Sequence, residues 1–433
     1  MTPQASFLYA GPVKPGHDAA LRALLNTMNA RPGVVNVSNE LIPFARFRNL
    51  HSARALIVTD LAAADRAVYG LPVSGLPDYL VILGEVDGTE ESFREELVRH
   101  AGPGLRQIFA HCTGFDPNMD VREWLASISI APSAFYVNWV GRTVQQESEE
   151  ETLRRSLEAY LDQHRDELRN VPARKLWNVL QAFVAEEQNR GNLTLTPAAK
   201  TPAEWRVRNA LHLVLVPLAL LLMLPFLLLY LPVYLIQLRH RERTDPAVAP
   251  AVSPAHAAEL EAIENYDVTN QFDVFGSLKP GKTRWWAMRF FLWIVNYTAR
   301  HIYNRGGLAR VSTIHFARWV PFDNAQRMLF SSIYDGSLES YMDDFINKVG
   351  FGLNITFSNG IGYPRTRWLL FDGCKDEQVF KRVLRRHQLP TEVWYNATPG
   401  LSAANKHRNS MIRNGLQAES MSDGEVEQWL ALL

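Results

Sequence analysis

Asp87 and Asp335 each stand where a strand-like run meets a helix-like one, in Gly84-Glu85-Val86-Asp87-Gly88 and Ser332-Ile333-Tyr334-Asp335-Gly336. A carboxylate at such a turn serves either proton transfer or the start of the next helix. Thr89 and Ser337 are good N-cap residues, and Glu91 and Glu339 add acidic charge in the first turn, so capping alone accounts for both blocks. The chemical reading adds His315 and Arg318 from Ile314-His315-Phe316-Ala317-Arg318-Trp319. Imidazole binds a proton or a metal near neutral pH, and guanidinium steadies an anion. His315 is the leading candidate metal ligand, ahead of His111, His301 and His407.

A second group suits anions. Asn359, Tyr363, Arg365 and Arg367 fall within one Gly-containing stretch, residues 359–368, whose backbone amides and guanidinium groups can hold a phosphate or carboxylate. Arg46, in Ile42-Pro43-Phe44-Ala45-Arg46-Phe47, matches Arg318 in position; both face an acidic ligand head or pair with Asp87 and Asp335. With Glu339 these make the expected ligand-binding set. No GxxxxGK[ST], HExxH or GxSxG string occurs. Cys112 and Cys374 lack CxxC spacing and read as small core residues in a reducing cytoplasm.

These residues recur because the chain repeats itself. Gly11, Val13, Lys14, Pro15 and Gly16 match Gly276, Leu278, Lys279, Pro280 and Gly281; residues 42–47 match 314–319; and 87–93 match 335–341. Strands are expected at 7–13, 42–47, 79–86 and 135–140, then at 272–278, 314–319, 328–334 and 392–398. With a helix after the first and third strand, each half reads β-α-β-β-α-β.

In that order, and in the GxxDG string ending at Asp87-Gly88, the chain is similar to the duplicated ferredoxin-like (dimeric α+β barrel) group. That group includes chlorite-dismutase-like and dye-decolourising-peroxidase-like haem proteins. The resemblance implies an α+β fold of two ferredoxin-like (βαββαβ) repeats packed together. It also implies haem as a cofactor, with His315 as axial ligand and Asp87 or Asp335 assisting peroxide cleavage.

Between the halves, residues 213–236 carry no charge. A helix of about 20 apolar residues crosses a bilayer core of about 30 Å, so this run is long enough. Pro217, Pro225 and Pro232 interrupt it, and arginines flank both ends: Arg206 and Arg208 before, Arg239, Arg241 and Arg243 after. A hairpin bent at Pro225, or in-plane insertion, keeps both basic flanks on the cytoplasmic face; a tilted span and a buried core helix are the alternatives. Residues 284–305 form a helix with only a narrow polar stripe, which suits contact with lipid, with the apolar segment, or burial between sheet and linker helices. The N-terminal stretch lacks the pattern of a signal peptide.

The organisation expected is a first repeat at 1–165, a helical connector at 166–205, the membrane-inserted segment at 206–243, a Pro/Ala linker at 244–268 and a second repeat at 269–433. With 45 basic and 45 acidic residues the chain has no net field for nucleic acid. The functional expectation is a cell-membrane protein with its soluble halves on the cytoplasmic side, handling an apolar or lipid-like molecule between the repeats. A haem-dependent peroxidase-like oxidoreductase and a non-catalytic membrane scaffold are the alternatives. The expected partners are membrane lipid and an apolar small molecule.

Overall fold

The computed structural model describes residues 1–248 and 251–433. Ala249 and Pro250, inside the expected Pro/Ala linker, lie outside the described residues. In chain order the first half supplies β1 (Gln4–Pro12), α1 (Asp18–Asn26), β2 (Leu50–Val58), β3 (Tyr79–Asp87), α2 (Glu90–Phe109), β4 (Ala134–Val137), α3 (Val144–Gln163) and α4 (Ala173–Asn189). After α5 (Ala203–Thr244) come β5 (Thr269–Ser277), α6 (Lys282–His301), β6 (Ile314–Phe322), β7 (Arg327–Asp335), α7 (Leu338–Phe357), α8 (Glu377–His387), β8 (Thr391–Asn396), α9 (Ala403–Leu416) and α10 (Asp423–Leu430).

Two four-stranded antiparallel sheets result, ordered β1-β3-β2-β8 and β5-β7-β6-β4. The orders map onto each other: first, third and second strand of one half, then the fourth strand of the other. Neither sheet is complete without the opposite half. The expected strand at 42–47 is corrected. Phe44–Arg46 is a turn of 3-10 helix, and the second strand of the first half is β2. The true counterpart of Ile314-His315-Phe316-Ala317-Arg318 is therefore Leu50-His51-Ser52-Ala53-Arg54.

Alternation along the strands decides what each face touches. Phe7, Tyr9 and Ile82 join Leu21, Leu25, Phe93, Leu97 and Leu105 on the helical side of the first sheet. Leu8, Leu56, Val58, Val81 and Leu83 pack instead against Phe275, Val320, Phe322 and Leu329 of the second sheet. The space between the sheets is filled with side chains, so the ligand expected between the repeats has no room there. The same parity sends Arg54, Glu85, Asp273 and Arg318 inward, where they form two ion pairs. Arg54 Nη1 donates to both Asp273 carboxylate oxygens at 2.8 Å, and Arg318 meets Glu85. Arg318 also donates to the Phe7 and Gly84 carbonyls at 3.0 and 3.2 Å. The expected pairing of Arg318 with Asp335 is thus replaced by one with Glu85 on the facing sheet.

A bent hairpin at Pro225 does not form. α5 is one helix of 42 residues, about 63 Å at 1.5 Å per residue. All three prolines are exposed on it. The stripe through His212, Val216, Leu220, Leu227, Tyr234 and Leu238 is at least partly covered, and recurs at helical spacing. That stripe runs along the body antiparallel to α6. At its start Arg300 Nε donates to Asn209 Oδ1 at 2.7 Å and His212 meets His301 at 2.8 Å. Near its end Thr283 Oγ1 donates to Gln237 Oε1 at 2.7 Å, and Arg284 pairs with Asp245. α6 thus lies between the second sheet and α5, which explains its narrow polar stripe.

Candidate functional site

The residues with catalytic potential converge on a seam between the halves. A β-bulge falls at His51 in β2 and at His315 in β6, the position where a strand re-aims one side chain. His51 Nε2 lies 3.0 Å from Asp87 Oδ1, and His315 Nε2 2.7 Å from Asp335 Oδ1. The other oxygen of each aspartate accepts the first N–H of a helix: Val144 of α3 donates to Asp87 at 2.9 Å, and Ala403 of α9 to Asp335 at 2.8 Å. Thr89 and Ser337 do cap α2 and α7, accepting from the Ser92 and Ser340 amides. The two aspartates secure the next helix along, and each orients a histidine.

One departure of the seam from symmetry joins two helices. Glu147 and Lys406 occupy equivalent positions, the fourth residues of α3 and α9, and their charged groups meet at 2.7 Å. Equal charges there would repel across the local axis; opposite ones attach the helices to each other. Lys406 and His51 hold the buried Glu147 carboxyl below its usual pKa against the opposing effect of burial. The space enclosed by His51, His315, Asn138, Arg142, Glu147 and Lys406 is about 20 Å³, room for one water. A macrocyclic cofactor needs a pocket on the order of 300 Å³ or more. With its Nε2 already held by Asp335, His315 does not fit the role of haem ligand. The other candidate histidines are also engaged: His111 with His17 at 3.2 Å, His301 with His212, and His407 against the Trp139 ring.

The anion-suited residues lead elsewhere, to the end of α5. A groove of about 590 Å³ opens there, lined by the loop Leu278-Lys279-Pro280-Gly281, the start of α6 with Lys282, Arg284, Trp285, Trp286 and Met288, and the 324–326 turn. Next to it, sharing Lys279, Arg284 and Asn359, is a smaller polar cavity of about 40 Å³ that adds Tyr234, Arg241, Asp245 and Arg365. Lys279 Nζ donates to the Ser358 carbonyl at 2.9 Å and lies 3.6 Å from Asp245. Arg365 donates to the Asp245 backbone carbonyl at 2.7 Å. Among the described residues Arg241 has no carboxylate within 4.0 Å. Its guanidinium rests against Gly281, whose φ of +128° and missing Cβ keep that approach open.

Part of this arrangement is scaffolding that both halves share. Lys14 donates to the Ala110 carbonyl at the end of α2, just as Lys279 does beyond α7. Past Lys-Pro-Gly the halves diverge, into His17-Asp18-Ala19-Ala20-Leu21 in the first and Lys282-Thr283-Arg284-Trp285-Trp286 in the second. The cationic and aromatic character belongs to the half that α5 packs against.

Of the expected ligand-binding residues, Asn359 and Arg365 line these cavities. Tyr363 is buried and donates to Asn354 Oδ1 at 2.8 Å; Arg367 pairs with Asp372 on a surface hairpin; Glu339 and Arg46 are exposed away from both sites. Sequence reasoning missed His51 and Arg54, which the match of residues 50–54 to 314–318 would have revealed. It also missed Arg241, Lys279 and Arg284, which chain separation hides.

Burial pushes the Lys279 ammonium down from 10.5 to about 8, with Asp245 opposing that shift. Between these values the unfolded chain binds more protons than the folded one, so stability from this site rises with pH across that window and the full cost of the buried charge is felt below pH 8. Urea midpoints should therefore move in favour of the wild-type chain, relative to Lys279→Met, as pH rises through that range. A constant difference would mean the lysine is well solvated.

Comparisons with protein-family models, curated proteins and solved structures yield no match for this chain.

Proposed function

We propose that this is a monotopic membrane protein that holds an amphipathic, lipid-like molecule in the groove beside α5. One observation carries the reading: α5 exposes a long apolar surface yet is tied at both ends to the same folded body. Leu222, Phe226 and Leu229 are 67, 74 and 80% exposed, far more than a soluble protein tolerates in one contiguous run. Because the halves exchange strands, they lie on one side of any membrane, and α5 then lies in the membrane plane.

The basic residues at both ends, Arg206, Arg208, Arg239, Arg241 and Arg243, favour a cytoplasmic face for the body. The βαββαβ order of each half supports the ferredoxin-like description, with the fourth strands exchanged. Trp285 and Trp286 sit at the groove mouth, where indole suits the level between headgroups and acyl chains.

The test is lipid extraction and mass spectrometry on detergent-purified protein. A near-stoichiometric lipid is expected, and it should be strongly depleted in Trp286→Glu, a substitution at a 64% exposed position that leaves the core intact. Purification free of bound lipid would leave a membrane-attached scaffold and remove the ligand.

A further inference from the structure

The polar cavity at the end of α5 says which kind of lipid. Arg241, Lys279, Arg284 and Arg365 converge there from three separate segments. Against them stand Asp245, shared by Lys279 and Arg284, and Glu242. Glu242 is fully committed: it pairs with Arg239 at 3.0 Å and accepts from Thr366 Oγ1 and the Trp368 and Leu369 amides at 2.9–3.0 Å. The cavity therefore carries a surplus of positive charge next to a largely apolar groove and the apolar face of α5. An anion with an apolar tail satisfies all three surroundings at once.

Resting on the membrane reading above, we propose that this cavity recognises the phosphate of an anionic phospholipid, with Arg241 and the remaining N–H groups of Arg365 as its donors and the Trp285–Trp286 groove receiving the acyl region. Arg241 and Arg365 are suited to the role because neither is committed to a carboxylate, and guanidinium forks fit phosphate oxygens in pairs. Lys279 and Arg284 hold Asp245 and set the cavity's shape.

The experiment is co-flotation of the full chain with phosphatidylcholine vesicles, with or without phosphatidylglycerol. The wild-type chain should bind both and prefer the anionic vesicles. The double variant Arg241→Gln, Arg365→Gln should keep its binding to neutral vesicles and lose well over the about 30-fold in preference that any two basic residues near an anionic surface are worth. Arg206→Gln with Arg208→Gln, at the opposite end of α5, serves as the control for that general effect and should lose no more than it. Equal loss in the control pair, or undiminished preference in the cavity pair, overturns the proposal as a general charge effect. Saturable binding of inorganic phosphate that is lost in the cavity pair, together with undiminished anionic preference of that pair, would instead assign the cavity to a free phosphate and overturn the lipid. No binding to either vesicle would sink the membrane reading itself.

Discussion

Replacing Leu222, Phe226 and Leu229 together with lysine should move the protein from the membrane fraction to the supernatant. Their exposure of 67–80% means that the folded body makes little use of them, so the variant should fold as the parent does. An inserted side chain of this size is worth about 1.5–3 kcal/mol, and three together roughly 5–9 kcal/mol, more than three orders of magnitude in partitioning. Lysine adds the further cost of placing ammonium groups near the acyl region. The same exchange at three exposed residues of the soluble body should leave the distribution unchanged. Retention of the triple variant on membranes would mean that α5 is not the anchor.

The second large effect concerns the space between the sheets. Arg318→Ala should destabilise the chain by about 3–5 kcal/mol, because it leaves the Glu85 carboxylate buried without its counter-charge. Arg318 and Glu85 are both fully buried, and the Phe7 and Gly84 carbonyls each lose one donor too. That loss is a large share of the roughly 5–15 kcal/mol that holds a domain folded. The double change Arg318→Met, Glu85→Leu removes both charges and should recover most of it. Denaturant midpoints decide the matter: similar losses in single and double variants would show that the pair contributes by shape alone. Because Arg318 belongs to one half and Glu85 to the other, the single variant also weakens the attachment between the halves.

The fold was legible where local pattern decides it. Seven of the eight principal strands overlap stretches where alternation or repeat position placed one, and Lys14-Pro15-Gly16 against Lys279-Pro280-Gly281 located the equivalent turns. The eighth failed for a reason of register. Residues 42–47 match 314–319 as a string, but His51 and Arg54 are the residues that meet Asp87 and Asp273. Strand exchange was not legible, since Ala134–Val137 and Thr391–Asn396 carry nothing that names the sheet they join; that choice is made by packing.

The prolines misled in a different way. Each removes one backbone donor, which suggested a break at Pro225. Cutting the helix there would free several more amides and carbonyls in apolar surroundings, a larger cost than the missing bond. The attachments at Asn209 and His212, and again at Gln237 and Asp245, then hold a continuous helix along the body. Of the site residues, Asp87, Asp335 and His315 were found by type and spacing, although their roles lie in the seam. The cavity at the end of α5 was half visible through Asn359 and Arg365. Its other members are drawn from segments far apart in the chain.

An in-plane α5 has both of its ends on the same side of the membrane. Cysteines placed at Lys200 and Ala247, exposed positions flanking the helix, can be probed in sealed vesicles with a membrane-impermeant maleimide, since native Cys112 and Cys374 are buried. Both positions should react to the same extent before permeabilisation, or both only after it, with Leu222→Cys protected in either case. Reaction of one end from outside and of the other only after the vesicles are opened would make α5 a span and contradict the in-plane arrangement.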